Sequence, residues 1–220
     1  MDNIKVEVTE QYIKKTMKFK DAAVLQINIK FPNIKNRTDI KIGKRINDFY
    51  NSVAKNFSKS CEKILYKSAS AEFLNKAETD GFKPFGAVMT FDAVYNARDI
   101  LCIYLDTNIY SGKGRGNIVR AAHIWDTTSG ELLPPGRFIK FDRRIKYKIC
   151  GYISGIMEKQ MQDGKESYIN SDIASVCKYL DKQNFSLSEN GWSFFFPQNT
   201  VAPFNSGIVS FDVPEGILAM

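Results

Sequence analysis

From Lys5 to Lys20 the chain alternates between apolar and charged residues, with Val6 and Val8 and then Met17 and Phe19 on the apolar side. A stricter alternation follows in Val24-Leu25-Gln26-Ile27-Asn28-Ile29-Lys30-Phe31. A period of two puts every second side chain on one face, which predicts a half-buried strand ending at Pro32. Together the two segments predict an opening antiparallel pair. The period then changes. Ile42, Ile46, Phe49, Tyr50, Val53 and Phe57 recur at three- and four-residue steps, the signature of one helix face, and predict helix over about 39–75. The helix either continues through Ile64, Leu65, Phe73 and Leu74 or breaks and restarts there.

Gly81, Pro84 and Gly86 punctuate the chain before three strand-like segments, Ala87–Ala97, Asp99–Tyr110 and Asn117–Thr127. The second is rich in β-branched and aromatic residues and suits a central strand. Their order predicts an antiparallel meander reaching to about residue 138, with a tight turn at Thr128-Ser129-Gly130-Glu131. Helical spacing returns over Phe141–Gln162, through Ile145, Ile149, Ile153, Ile156 and Met157, although Gly151 and Gly155 weaken it. A shorter helix is predicted over Ser171–Gln183, started by Ser171 or Asp172 as cap. Phe185 to Pro214 reads as a closing β-hairpin, with Asn190-Gly191 as its turn signal. The pattern predicts one α+β domain over 1–220: N-terminal strands (1–32), a helical stretch (39–75), a meander (87–138), helices (141–183) and a C-terminal hairpin (185–214). In it, an antiparallel sheet of meander and hairpin strands packs against two or three helices.

Composition adds limits. The 220 residues are 44% hydrophobic and 13% aromatic, enough for a substantial core. No apolar run approaches the length that crosses a bilayer, and Met1-Asp2-Asn3-Ile4-Lys5 does not open a signal peptide, so the chain as it stands reads as cytoplasmic. A formal net charge of +7 favours anionic partners, but the cations are scattered. Lys14–Lys15, Arg143–Arg144 and Lys146/Lys148 are the nearest approaches to clusters. Cys61, Cys102, Cys150 and Cys177 are far apart, without a Cys-x-x-Cys pair, in apolar surroundings. They read as buried reduced thiols, not as a zinc or redox site.

Candidate chemistry is sparse. His123 is the single histidine, which removes a multi-histidine metal site, and its place within a strand favours a structural role. Ser111-Gly112-Lys113-Gly114-Arg115-Gly116 has the glycines and cations of a phosphate cradle. A phosphate fingerprint runs from strand to helix, whereas this loop joins two strands. Asp92, Asp99, Asp106, Asp126 and Asp142 lie near the meander and could support hydrolysis, but their spacing fits no motif. Tyr104 and Tyr110 share one strand parity, and Phe194 and Phe196 share another; each pair belongs either to the core or to a binding groove. The residues singled out for binding are Lys113, Arg115, Tyr110, Tyr104, Arg120 and His123. No catalytic residue, metal ligand or cofactor is indicated.

The order of elements from Phe31 onward resembles the extracytoplasmic domains of the RsiV family of anti-sigma factors and related domains of Gram-positive bacteria. The likeness is carried by Ile29-Lys30-Phe31-Pro32, by the helix bearing Ile46-Asn47, by the glycine-rich loop after Tyr110, and by Trp125-Asp126-Thr127-Thr128-Ser129-Gly130-Glu131. It is most specific in Phe185–Gly191, Phe194-Phe196 and Val201-Ala202-Pro203-Phe204-Asn205-Ser206-Gly207. Where the family loop often reads Gly-Gly-Ala-His, this chain has Gly114-Arg115-Gly116-Asn117. The resemblance implies an α+β fold and non-catalytic recognition at the cell envelope, of a lysozyme-like protein or an anionic envelope component. It also implies an extracytoplasmic setting. Related domains accompany a polysaccharide deacetylase module whose catalytic motif is absent here. Two other readings stay open: a hydrolase acting on a cell-wall polymer, and nucleic-acid binding, for which charge is the only argument. Oligomeric state is not legible.

Overall fold

The computed structural model describes residues 6–36, 39–76, 81–114 and 116–218. Its architecture is α+β, with eight strands in sheets of five and three and three α-helices among these residues. Strands β1 (Glu7–Phe19) and β2 (Ala22–Lys35) form a long antiparallel hairpin. Helix α1 (Ile40–Lys76) runs unbroken for 37 residues. It leads to β3 (Phe85–Ala97), β4 (Ile100–Tyr110) and β5 (Asn117–Asp126), the expected meander. Spatial order follows chain order, β1-β2-β3-β4-β5. One pairing departs from the antiparallel expectation: β2 and β3 are parallel, from Leu25↔Phe85 to Ile29↔Met89.

Pro32 does not end β2, which continues to Lys35 and pairs Pro32 with Glu10. The pairing to β3 stops at Ile29, so beyond it β2 has no neighbour on that side to miss the proline N–H. Both tight turns of the large sheet are made without glycine. Lys20 and Asp21, and Arg98 and Asp99, form two-residue loops with φ of +47°, +65°, +51° and +60°. Positive φ at both central positions matches the right-handed twist of the strands. Asp99 therefore belongs to the turn, and β4 begins at Ile100.

The second layer begins after the turn at Asp126, whose carboxylate accepts hydrogen bonds from the Thr128 and Ser129 amides. Helix α2 (Arg143–Gln162) is capped by Asp142, which accepts from Ile145 N at 2.9 Å, and Gly151 and Gly155 leave it unbroken. Helix α3 (Ile173–Tyr179) is capped by Asp172 and is shorter than its apolar stripe predicts. Leu180 is buried but extended, and Asp181 accepts from Gln183 N to turn the chain toward the next strand. The closing hairpin is in fact a three-stranded sheet, β6 (Phe185–Ser188), β7 (Gly191–Phe196) and β8 (Val209–Val213). Its turn is centred on Glu189-Asn190, one residue earlier than the Asn-Gly signal, because Ser188 pairs with Gly191.

Two apolar cores result, one on each face of the large sheet. Leu25, Ile27, Ile29, Met89, Leu101, Ile103 and Trp125 face α1 and meet Ile46, Tyr50 and Ala54. On the other face, Cys102 and Ile124 join a core formed with Phe185, Trp192, Phe194 and Phe196 of the small sheet and Ile149, Ile153 and Met157 of α2. Strand β7 is covered on both sides, so Trp192–Phe196 is buried throughout. Phe194 and Phe196 are thus core residues.

The cysteines do not all remain thiols. Cys150 of α2 and Cys177 of α3 form a disulfide with Cα atoms 5.5 Å apart, while Cys61 and Cys102 are free and buried. Helical spacing conceals this pairing, since each cysteine also fits the apolar stripe of its own helix. No helix among the described residues is long and apolar enough to cross a membrane.

Two stability effects follow. At Gly191, φ is +130° and an added Cβ would lie 2.7 Å from the Val213 carbonyl oxygen. Gly191→Ala should lower the unfolding free energy by more than about 1 kcal/mol in urea titration. The disulfide spans a sequence separation of 27. Reducing it should cost roughly 3–4 kcal/mol in the same assay on the loop-entropy scale.

Candidate functional site

The meander places the sequence-selected residues on different surfaces. In the β4–β5 register Ile103 lies opposite His123 and Leu101 opposite Trp125, on the α1 face. Tyr104 pairs with Ala122 and Asp106 with Arg120, on the face toward the small sheet. The β4–β5 loop carries Lys113, which is exposed, at a distance along the strands from both groups, and Tyr110 is half-buried at its start. Arg115 lies outside the described residues. Of the five that are described, the structure brings together only Tyr104 and Arg120.

Their cluster is well defined. Arg120 donates from Nε and Nη2 to the two Asp106 carboxylate oxygens, both at 2.8 Å. Its guanidinium carbon lies 4.3 Å from the centre of the Tyr104 ring and 5.7 Å from that of Phe195. Bidentate pairing and ring stacking are the two contacts for which a guanidinium is suited. The Tyr104 hydroxyl shares a 2.6 Å hydrogen bond with Ser186 Oγ of β6, and burial raises its pKa. Ser186 and Ser193 are themselves buried. Every polar partner in this cluster is engaged, and its geometry ties the two sheets together. Sequence parity alone did not reveal Asp106 as the partner of Arg120, or the two serines.

The remaining acidic candidates are dispersed. Asp126 holds its turn, Asp142 caps α2, Asp99 forms a β-turn and Asp92 is exposed. Among the described residues, no three His, Cys, Asp or Glu side chains are grouped so as to hold a metal ion. The Ser111–Gly116 loop joins two strands, as expected, with Gly112 and Gly114 at φ of +82° and +66°.

The outer edge of β5 is partly capped. Asp126 N donates to Glu131 O, Leu133 N donates to Ile124 O, and Ile118 N donates to Gln198 Oε1. By strand parity the backbone groups of Arg120 and Ala122 point to the same edge, and among the described residues none has a partner there. Val119, 59% exposed, flanks this gap, on the α1 face by parity with His123. A hollow of about 250 Å³ lined by Ala122, Ile124, Leu132 and Phe185 adjoins it. Unpaired strand edges of this kind are templates for a further strand.

His123 lies under α1. The Tyr50 hydroxyl accepts from Trp125 Nε1 at 2.8 Å and lies 3.3 Å from His123 Nδ1. The Tyr50 proton can then go to Nδ1, which leaves the imidazole hydrogen on Nε2. Burial lowers the His123 pKa to about 4 from the ordinary 6.5. Between these values the unfolded chain binds a proton that the folded chain refuses. The stabilisation from this site is therefore complete above about pH 6.5 and lost as the pH falls toward 4. The loss is roughly 3 kcal/mol at most. Urea unfolding at pH 7 and pH 4.5 should show a smaller loss for His123→Gln than for the unaltered chain; equal losses would remove His123 as the cause.

Comparison with known proteins places these elements. Residues 19–118 match the family described as "Deacetylase PdaC", and residues 138–215 match the "Protein of unknown function (DUF3298)" family. No curated protein matches the chain. Among solved structures, the fold is similar to that of a DUF3298 family member from Bacteroides fragilis, with a TM-score of 0.69 and 15% sequence identity, covering 99% of this chain and 94% of that one. It is also similar to a DUF3298 family protein from Pseudomonas aeruginosa, with a TM-score of 0.61 and 10% identity, again covering 99% and 94%. The stretch from β2 to the start of β5 and the stretch from α2 to β8 thus carry the PdaC and DUF3298 family matches respectively, joined in a fold like that of DUF3298 family proteins.

Proposed function

We propose that this chain is a non-catalytic recognition domain of the cell envelope, of the RsiV-like kind, which takes an extended segment of a protein ligand along the β5 edge. The observation that carries this reading is the gap in edge capping at Arg120 and Ala122. Backbone donors and acceptors there face outward beside exposed Val119 and an adjoining hollow. An added strand would satisfy those groups, and the hollow would take one of its side chains. Lys113, exposed on the loop that enters β5, would flank the bound segment.

A binding role is favoured over hydrolysis by where the perturbed groups lie. Cys102, with its thiol pushed up to about 12 by burial, and Tyr50 are in the packed interior, and His123 is half-buried beneath α1. Catalytic acids and bases instead need to reach an open site. The Cys150–Cys177 disulfide supports a location outside the reducing cytoplasm. Both cores rest on one sheet, with β4 contributing Leu101 and Ile103 to one and Cys102 to the other, which supports a single working unit over 1–220.

The narrowest form of this reading names a lysozyme-like protein as ligand. Titration of the chain with lysozyme should give saturable association, weakened by Val119→Lys, which places a charge beside the edge gap, against the side chains of an added strand. No association at high micromolar protein would reject lysozyme as the ligand, and equal binding by Val119→Lys would move the contact away from β5.

A further inference from the structure

A cluster of cations without ion-pair partners among the described residues lies elsewhere, on α2 and α3. The first two turns of α2 and the last turn of α3 enclose an open groove of about 830 Å³, lined by Arg143, Arg144, Lys146, Tyr147, Lys148 and Lys178, with Cys177 beside them. No carboxylate lines it. None of these five cations is ion-paired among the described residues, although lysines on other surfaces are matched, as in Lys15–Glu62, Lys30–Glu10 and Lys44–Asp48. The groove adjoins a second one of about 480 Å³ that shares Lys146 and Lys178 and extends the basic lining to Lys182. Asp181 also lines this second groove, and its carboxylate accepts from Gln183 N.

Folding does not favour this arrangement. The amino end of a helix carries partial positive charge and is stabilised by acidic residues; at α2 the single carboxylate is the Asp142 cap, bonded to Ile145 N, and the first turn itself has no acid and bears Arg143, Arg144 and Lys146. An anion in the groove would relieve both the repulsion among the cations and their conflict with the helix. The walls are also fixed relative to one another. The disulfide joins Cys150 of α2 to Cys177 of α3, so the groove does not have to be assembled when a ligand arrives. Tyr147, 62% exposed among the cations, offers a flat ring for the uncharged part of a ligand.

The cations are strung along two helices and do not converge on one point, which suits repeated charges better than a single small anion. The surface is concave, which suits a chain better than a flat bilayer. We propose that the α2–α3 groove binds a linear polyanion, a chain bearing phosphate or carboxylate groups at intervals, outside the cytoplasm. Only the compartment is taken from the recognition reading above; the site is separate from the β5 edge.

The test uses the full chain, oxidised, with inorganic polyphosphate and poly-L-glutamate as the phosphate and carboxylate probes and a single-stranded oligonucleotide as comparator. Saturable binding to either polymer is expected, and the stronger one identifies the preferred anionic group. If about four cations are neutralised, the logarithm of affinity should fall with the logarithm of salt at a slope of about −3. Arg144→Glu with Lys148→Glu should weaken binding at least about tenfold. Lys55→Glu with Lys59→Glu, the same change of net charge on the exposed side of α1, should weaken it less than about twofold. Equal weakening by the two pairs would reduce the effect to net charge and overturn the site, as would no binding to either polymer at low salt. Tighter binding of the oligonucleotide than of both polymers would overturn the proposed ligand class in favour of nucleic acid. Circular dichroism of both variants separates lost binding from lost fold. The lysozyme titration reads the β5 edge alone, so either proposal can fail while the other stands.

Discussion

Parallel pairing of β2 with β3 is the constraint on which the rest of the structure depends. Two parallel neighbours cannot be joined by a tight turn, so the chain must return the length of the sheet before β3 begins. Helix α1 is that return path, and at 37 residues it is about 55 Å long. Its length is therefore set by the sheet it spans, whose outer hairpin strands have 13 and 14 residues. The aromatic and aliphatic stripe of α1 covers one face of the sheet. The small residues Gly43, Ala54, Ser58, Cys61 and Ala69 on its buried side bring the helix axis close. Gly43 is one such position: an added Cβ would lie 3.0 Å from the Ile34 carbonyl oxygen.

With one face taken by α1, the other needs a separate cover, and the C-terminal part of the chain provides it. The contact is not purely apolar. Tyr104, Ser186, Arg120 and Asp106 form a polar seam between the sheets, edged by Phe195. Buried polar groups left unpaired are costly, so the satisfied seam fixes how the small sheet registers on the large one in a way that apolar packing alone would not. Arg120 thus has its side chain committed to this seam while its backbone faces the free edge of β5.

Much of this fold was legible in the chain. Period-two alternation located β2, three- and four-residue spacing located α1 and α2, and turn residues marked the bends. What was missed has physical reasons. The parallel pairing leaves no mark on the alternation of either strand. The turns at Lys20-Asp21 and Arg98-Asp99 adopt positive φ without glycine or asparagine, so composition gave no signal. Cys150 and Cys177 fit apolar helix stripes, which hid their pairing. The proposed binding surfaces were harder still. The cations of Arg143–Lys148 were visible as a short cluster, but Lys178 joins them only through the packing of α3 on α2. Likewise, the free stretch of β5 depends on Gln198 and Leu133, which cap its neighbours from other parts of the chain.

The chain between the two half-cystines includes an exposed, polar bend at Asp163-Gly164-Lys165-Glu166-Ser167. Lys165 is the type of residue that trypsin-like proteases cut beside, and exposed bends are where they gain access. A cut there would fall inside the covalent ring closed by the disulfide. The two fragments would stay bonded, one carrying α2 and the other α3 with the small sheet. A nicked molecule would keep its mass under oxidising conditions and separate into two pieces only after reduction. In a protease-rich environment, the crosslink would thus turn a severing event into a tolerated scar.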